Sequence, residues 1–469
     1  MIEQWIGTIN GYLWGSVLIY LLTGCGVWFT WRLKGIQITR FTHMFTLLKL
    51  SRKTDSQGIS SFQALCTSLA ARVGTGNLMG VAVAITLGGA GAVFWMWLIA
   101  LVGMATAFAE SALGQLYKEK DASGNFRGGP AYYMSKGLNN KKLAVTFSLC
   151  LFFGYGFVFS SVQANSITSA FDGSFGINPL YTGIAITIGT ALIVFGGLKN
   201  IARFAEITVP FMGLAYLLVC LAVIFLNIEK IPAIISDIFA SAFGLKEAGG
   251  GLVGAAIVQG IKRGLYSNEA GMGSSPNAAA AASPHPPHPV SQGYIQMLAV
   301  FFDTIVICSC TAFLILLFKE TGSDAQGIQL TQQALSYQVG AWGSDFITIA
   351  ILLFGFTSIV ANFAYAENNL KYLNMDNRLG HWFLRCGFLA MLIFGSVASL
   401  PQVIALADLS TGLMTVVNVT ALLLLSKVVV SITQDYHQQH NNGKLPTYAP
   451  STSEHSRFNL TKGIWQKIV

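Results

Sequence analysis

The sequence predicts an all-α polytopic membrane protein. Eleven transmembrane helices are expected, as an inverted 5+5 repeat behind one extra N-terminal helix. Three observations predict it. The chain is 53% hydrophobic and only 10% charged, against about 25% charged in an ordinary soluble domain. Lysine and arginine gather in alternate connections. Two apolar segments are interrupted by paired glycines, one at the start of each group of five.

About 20 apolar residues span a bilayer. On that rule candidate helices fall at 12–32, 59–87, 92–117, 143–170, 179–198, 204–227, 255–283, 291–318, 344–370, 381–399 and 402–430. Residues 1–32 carry the extra helix. The N-terminus, Met-Ile-Glu-Gln-Trp, lacks the basic region of a signal peptide, so this helix is expected to be retained. Residues 59–227 make the first five-helix repeat and 255–430 the second. Residues 431–469 are polar and read as a soluble, partly disordered tail.

The basic residues orient these helices. Lys34, Arg40, Lys49, Arg52 and Lys53 follow helix 1. Lys118, Lys120, Arg127, Lys136, Lys141 and Lys142 follow helix 3. Lys199, Arg203, Lys371 and Arg378 join them in two further connections, whereas the opposite side holds Lys230, Lys246 and Lys319. The N-terminus is therefore expected outside and the tail in the cytoplasm, in a bacterial inner membrane.

The net charge of +8 belongs to these loops and does not call for nucleic acid. The seven cysteines lie in apolar runs with no CxxC pair, so they read as buried thiols rather than a disulfide framework or a metal site. His285 and His288 alone make a poor metal site. No HExxH or GxSxG is present, and no histidine sits mid-membrane, so an intramembrane enzyme is not expected. A channel would use subunit symmetry or repeated pore loops.

The interruptions are Val73-Gly74-Thr75-Gly76-Asn77 in helix 2 and Ser267-Asn268-Glu269-Ala270-Gly271-Met272-Gly273-Ser274 in helix 7. Glycine costs about 1 kcal/mol relative to alanine inside a helix. Close helix packing is one reason to accept that cost. The other is unwinding. Five is odd, so the two groups insert in opposite senses, and a broken helix opening each half is the pattern of a secondary transporter. Backbone groups freed mid-membrane persist only where a ligand, ion or water pairs with them. A half-helix N-terminus suits a carboxylate, and freed carbonyls suit an ammonium or Na⁺. A small zwitterion and a sodium ion fit both ends.

The runs Ala70-Ala71-Arg72-Val73-Gly74-Thr75-Gly76-Asn77-Leu78 and Ile85-Thr86-Leu87-Gly88-Gly89-Ala90-Gly91-Ala92-Val93-Phe94-Trp95-Met96-Trp97 resemble the alanine or glycine:cation symporter family. Gly128-Gly129-Pro130-Ala131-Tyr132-Tyr133 and the helix 7 interruption are similar to it as well. The resemblance runs to about residue 430. It implies the inverted leucine-transporter-like fold, sodium coupling, and alanine or glycine as substrate.

The expected substrate site comprises Gly74, Thr75, Gly76, Asn77, Gln163, Asn268, Ala270, Gly271, Met272 and Gly273, with Phe363 as a possible aromatic lid. Core packing is the competing role for Phe363, and a helix–helix hydrogen bond for Gln163 and Asn77. Oxygen donors suit sodium as they suit other hard cations. The amide of Asn77 and the hydroxyls of Thr357 and Ser358 are candidate ligands, against back-bonding of the hydroxyls to their own helix. By the resemblance, the carbonyls of Ala70 and Val73 complete that sodium site.

Arg72, Glu110, Glu206, Glu269, Asp303, Glu367 and Asp408 lie within predicted helices. A charge at the membrane centre costs about 2.5–3.5 kcal/mol on insertion scales, so each needs a role or a partner. Arg72 would pair with Glu269 or Asp303, or take the place of a second cation. Glu110, Glu269 or Asp303 would carry the proton in the rival reading, a proton-coupled small amino-acid symporter or exchanger. Lys262 and Arg263 would steer an anion or snorkel to the interface. Tyr132 and Tyr133 would anchor a cytoplasmic loop at the headgroups or gate the site. No cofactor beyond Na⁺ is called for, and a monomer is expected.

Overall fold

The computed structural model describes residues 2–52, 58–121, 124–194, 198–245, 250–318, 325–451, 458–461 and 463–465. The chain enters through α1 (Ile2–Tyr12), a π-helical turn (Leu13–Leu18) and α2 (Ile19–Arg32), then lays α3 (Ile36–Thr39) and α4 (Phe41–Leu50) across one end. Next come α5 (Ser61–Arg72), a break, a π-helical turn (Gly76–Gly80) and α6 (Val81–Gly88). α7 (Gly91–Leu116) leads to a small antiparallel hairpin, β1 (Glu119–Lys120) and β2 (Phe126–Arg127), and to α8 (Pro130–Lys136). α9 (Lys141–Phe153) continues through Gly154–Val158 into α10 (Phe159–Phe175), followed by α11 (Pro179–Val194), α12 (Leu198–Leu226) and α13 (Ile231–Ala242).

The second half opens with α14 (Gly250–Asn268), a break, and α15 (Ser275–Ala281). α16 (Pro289–Val300) runs through Phe301–Cys308 into α17 (Ser309–Phe318). α18 (Ile328–Val339), α19 (Trp342–Tyr372), α20 (Arg378–Val397), α21 (Leu400–Leu424) and α22 (Ser426–Asn441) complete the chain of helices.

Among the described residues, eight helices are long and apolar enough to cross a membrane. α5 and α6 form a further span bent by 49°, and α11 is a shorter apolar helix. The chain is a multi-pass membrane protein. Its lipid face is legible on α12, where Ile207, Phe211, Leu214, Leu218 and Phe225 stand exposed along one side. Apolar side chains left outside on this scale need a hydrocarbon solvent.

α7 is the central strut. α2 packs on it so tightly that a Cβ on Gly26 would lie 2.8 Å from the Val102 Cβ. α14, α15 and α16 pack on its other sides, while α10 is held by α19 and α20. α5 starts with a capping box. Ser60 Oγ accepts from the Gln63 N–H, and Gln63 Oε1 accepts from the Ser60 N–H. The Gln63 amide then donates to Glu206 Oε2 at 2.9 Å, which supplies Glu206 with its partner.

The basic segments gather at one end. Arg40 reaches Asn441, Lys136 pairs with Glu119, and Lys118 donates to the Ala282 carbonyl. Lys53, Lys246 and Lys319 lie outside the described residues.

Two expectations are corrected here. The last span stops at Leu424, and the residues beyond it are not simply a disordered tail. α22 is amphipathic, burying Val429, Ile432 and Tyr436, and Tyr448, Phe458, Leu460 and Trp465 are buried after it. Polar composition hid apolar residues at helical spacing. Tyr132 and Tyr133 are not interfacial anchors either. Both are buried, and the Tyr133 hydroxyl donates to Asn418 Oδ1. Gly129 at φ +124° turns α8 inward instead of along the surface.

Candidate functional site

The first break falls where α5 runs into Val73-Gly74-Thr75. Its freed amides are taken by side chains. Asn77 Oδ1 accepts from the Gly74 N–H at 3.0 Å, and Gln163 Oε1 accepts from the Thr75 N–H at 3.2 Å. The freed carbonyls face α19. Ser358 Oγ lies 2.7 Å from the Ala70 oxygen and 3.5 Å from that of Val73. Only glycine fits at position 74, since a Cβ there would lie 2.5 Å from Ser358 Oγ and 2.9 Å from Gln163 Oε1.

The second break is built from left-handed backbone. Gly271 and Gly273 have φ of +86° and +87°, which glycine adopts without a steric cost. Glu269 adopts φ +56° without that freedom, a strain of about 1–2 kcal/mol held by its surroundings. Asn268 Oδ1 accepts from the Ala270 N–H, and Ser274 Oγ donates to Glu269 Oε2 at 2.5 Å. Glu110 Oε2 on α7 accepts from the Gly273 N–H at 3.2 Å and from the Asn418 amide at 3.0 Å. The same Asn418 amide donates to the Gly271 carbonyl.

A third set of contacts clips the breaks together. Asp303, in the π-helical turn between α16 and α17, accepts from Asn77 Nδ2 at 2.8 Å and from Ser267 Oγ at 2.6 Å. Thr304 Oγ1 adds a third donor at 2.8 Å. These three donors satisfy carboxyl oxygens that burial would otherwise leave without partners. Arg72 donates to Ser275 Oγ and to the Gln296 carbonyl. It does join the two broken helices, but through Ser275 beyond the second break. Among the described residues it makes no ion pair with Glu269 or Asp303, because its side chain runs along α5 toward α15 and α16.

Between the breaks lies a cavity lined by Ala71, Arg72, Gly76, Phe159, Gln163, Tyr266, Glu269, Met272 and Asn362. Its empty volume is about 270 Å³, and its free interior holds roughly one water molecule. Gly76, Gln163 and Met272, with Arg72 and Glu269, are thus placed at its wall. Gly74, Thr75, Asn77, Asn268, Ala270, Gly271 and Gly273 form the backbone of the two breaks behind that wall. Ala70, Val73 and Ser358 are brought together, although Ser358 Oγ also lies 2.9 Å from the Phe354 carbonyl of its own helix, and the Thr357 hydroxyl donates to that same carbonyl.

Phe363 does not line the cavity. It packs edge-on against Phe388, with ring centroids 5.3 Å apart. One residue is about 100° of helix rotation, so its neighbour Asn362 faces inward instead. Among the described residues, Asn362 Nδ2 and Glu110 Oε1 are buried without a hydrogen-bond partner. Lys262 and Arg263 do not form an open steering patch. Arg263 pairs with Asp408 Oδ1, and Lys262 lies 3.4 Å from Oδ2.

Phe159, Tyr266, Asn362, Asn418 and Ser267 were missed as site-forming residues. The helical period carried the signal for two of them. Phe159 is four residues before Gln163, and Asn362 four after Ser358, on the same helix faces.

The chain matches the model of the sodium:alanine symporter family over residues 1–450. It is 47% identical to the uncharacterized transporter YaaJ of Escherichia coli over 98% of both chains. It is also 47% identical to the probable sodium/glutamine symporter GlnT of Bacillus subtilis, over 96% of this chain and 93% of that one. It is 38% identical to the sodium/alanine symporter AgcS of Methanococcus maripaludis, over 93% and 98%. Among solved structures it is similar in fold to MhsT in complex with L-phenylalanine. The TM-score is 0.53 at 15% identity, covering 88% of this chain and 94% of that one.

Proposed function

Because this chain belongs to the sodium:alanine symporter family, a family of transporters rather than enzymes, we propose that it imports alanine or glycine with sodium by alternating access. The observation that carries this reading is the pair of broken helices facing one closed cavity. The amides freed at the first break are held by Asn77 and Gln163, and Arg72, Gln163, Glu269 and Asn362 put polar side chains at the cavity wall.

The carbonyls of Ala70 and Val73 with the hydroxyls of Ser358 and Thr357 are the proposed sodium site. Their oxygens are hard donors, and with sodium bound the Ser358 hydroxyl would keep its hydrogen for the Phe354 carbonyl, 2.9 Å away on its own helix. Asn77 acts with Asp303 as a brace, and its amide oxygen is a candidate ligand once the Gly74 N–H turns to substrate. Gly74, Thr75 and Gly76 and the second break, Asn268 to Gly273, would take the amino acid's charged groups, with Gln163 and Asn362 beside them. Sodium and substrate must raise each other's affinity equally.

Phe159, Tyr266 and Met272 leave little room for a side chain, which supports alanine or glycine over the glutamine named for one relative. A second reading rests on the carboxylates. Glu269 lines the cavity and Glu110 keeps an unpaired buried oxygen, so either would accept a proton if protons drive uptake.

The proposed topology has eleven spans, with α14 and α15 as the second broken one. Residues 59–227 and 255–430 form inverted repeats, the N-terminus lies outside, and the basic end faces the cytoplasm of a bacterial inner membrane. The protein is proposed to act as a monomer.

The test is uptake of labelled alanine into proteoliposomes under an inward sodium gradient, a potassium control and a pH gradient. Sodium-driven accumulation competed by glycine but not by glutamine is expected. Accumulation driven only by pH would retire the sodium site in favour of the carboxylates. Competition by glutamine at equal concentration would sink the size argument.

A further inference from the structure

The basic end of the molecule is closed where the inner halves of the two broken helices meet. Ile59, just before α5, pairs with Ala282, just after α15, as a parallel backbone bridge. The Ser283 N–H donates to the Ile59 carbonyl at 2.9 Å, and the Ile59 N–H to that of Ala281 at 3.3 Å. Phe126 of β2 covers this bridge, since a Cβ on Gly58 would lie 2.9 Å from its ring. Behind the closure is a second cavity of about 380 Å³, lined by Ile59, Thr67, Phe126, Ala278, Ala364 and Asn368 among others. It lies between the central cavity and the basic end. Thr67 is one turn before Ala71 on α5, and Asn368 is under two turns beyond Asn362 on α19.

One side chain holds both parts of this closure. Lys118, at the end of α7, is 3% exposed. Its ammonium donates to the Ala282 carbonyl at 2.7 Å, beside the Gln115 amide at 2.9 Å. These donors satisfy a carbonyl at the C-terminus of α15 that the helix leaves open. The same ammonium sits 3.9 Å from the ring centroid of Phe126 and 4.9 Å from that of Trp465. A desolvated cation is stabilised by such ring faces. Trp465 is itself pinned. Its indole N–H donates to the Leu116 carbonyl at 3.2 Å, and its ring meets Tyr448 edge-on at 5.7 Å. The Tyr448 N–H in turn donates to the Pro287 carbonyl, in the connection between α15 and α16. Tyr448 and Trp465 thereby meet beside Lys118.

We infer that Lys118 and Trp465 form a latch on the inner gate. The exit opens only when the Ile59–Ala282 bridge and the Phe126–Gly58 contact part. Lys118 fixes Ala282 and Phe126 in the closed arrangement, and Trp465 keeps Lys118 buried. The C-terminal segment thereby sets how readily the transporter opens toward its basic end. The inference rests on the alternating-access reading, because it concerns the path out of the central cavity.

The experiment is the rate at which a water-soluble maleimide modifies an Ala278→Cys reporter in the purified full chain. Cys386 and Cys150 are changed to Ser in the parent. Trp465→Ala and Lys118→Met are each expected to raise the rate about tenfold, the change in open population that corresponds to roughly 1.4 kcal/mol. Trp465→Phe, which keeps a ring face over the ammonium, is expected to hold the parent rate. Trp465→Ala changes no membrane span, so it remains readable if Lys118→Met does not fold. Rates equal to the parent in Trp465→Ala overturn the latch, as does a rise with Lys118→Met alone. The labelling needs neither sodium nor substrate. Failure of alanine uptake by the parent chain would therefore sink the transport reading without altering this result.

Discussion

At the scale of single residues, the first break is held by three side chains, Asn77, Gln163 and Ser358. Ser358→Ala removes a hydroxyl oxygen from the Ala70 and Val73 carbonyls. It is expected to raise the half-saturating sodium concentration about tenfold, in line with the loss of a hydrogen bond worth roughly 1–1.5 kcal/mol. Unchanged sodium dependence of uptake would remove Ser358 from the cation site. Gly74→Ala is expected to abolish uptake while the protein still inserts. The added Cβ would lie 2.5 Å from Ser358 Oγ, a short side chain that cannot yield without leaving the Ala70 carbonyl. Gly213→Ala on α12, where a Cβ meets nothing within 4 Å, is the matched control and should transport normally. Equal activity in the two alanine variants would refute the packing argument.

At the scale of elements, the two broken helices are held by different chemistry at their two ends. The N-terminal half of the second, α14, is tied to α21 by Arg263 and Lys262 on Asp408, and Trp14 donates to the Asp408 carbonyl. The Arg263 side chain is 2% exposed and that of Asp408 10%. Removing one partner of a buried pair strands the other, typically at about 3–5 kcal/mol. Asp408→Leu is therefore expected to lower the thermal midpoint in detergent markedly. Adding Arg263→Met should recover part of the loss, because the more deeply buried of the two stranded cations is then gone and only Lys262 remains. A double variant less stable than Asp408→Leu alone would show that the pair acts in some other way. The middle of the same helix is held by Asp303, Glu110 and Asn418, none of which lies on either broken helix.

At the scale of the whole molecule, α4, α22 and the start of α16 close the basic end with histidines. The Tyr436 hydroxyl meets His43 Nε2 at 2.9 Å, and the Tyr294 hydroxyl meets His437 Nε2 at 2.6 Å. Burial, with His440 and Arg40 nearby, pushes His43 down to about 4. Burial, with Arg40 and His440, does the same to His437. An unfolded or detached histidine titrates near 6.5. The detached state therefore binds more protons between pH 6.5 and 4. Docking of α22 is fully stable above about 6.5 and weakens as pH falls toward 4. Hydrogen exchange of the α22 amides should accelerate at pH 5 relative to pH 7.5, with spans such as α19 unchanged. No difference between α22 and α19 would count against the histidine cluster.

The positions of the two breaks and the multi-pass, all-helical character were written in the sequence. They follow from local rules: the length of a hydrocarbon crossing, the backbone freedom of Gly271 and Gly273, and the cost of burying charge. Gly74 was legible as a break in an apolar helix, Gln163 as a long polar side chain in an apolar one, and Ala70 and Val73 through the family resemblance. What occupies each charge was not legible. Asp303 clips Asn77 to Ser267, Glu110 binds the Gly273 amide, and Arg72 finds Ser275 rather than a carboxylate. Phe363 packs on Phe388 and Asn362 faces the cavity, because the rotation of α19 is set by its neighbours. The C-terminal segment looked like a polar tail because composition counts residues without regard to face. These contacts join residues hundreds of positions apart, and helix rotation, close approach and the return of the chain are decided only when the elements pack.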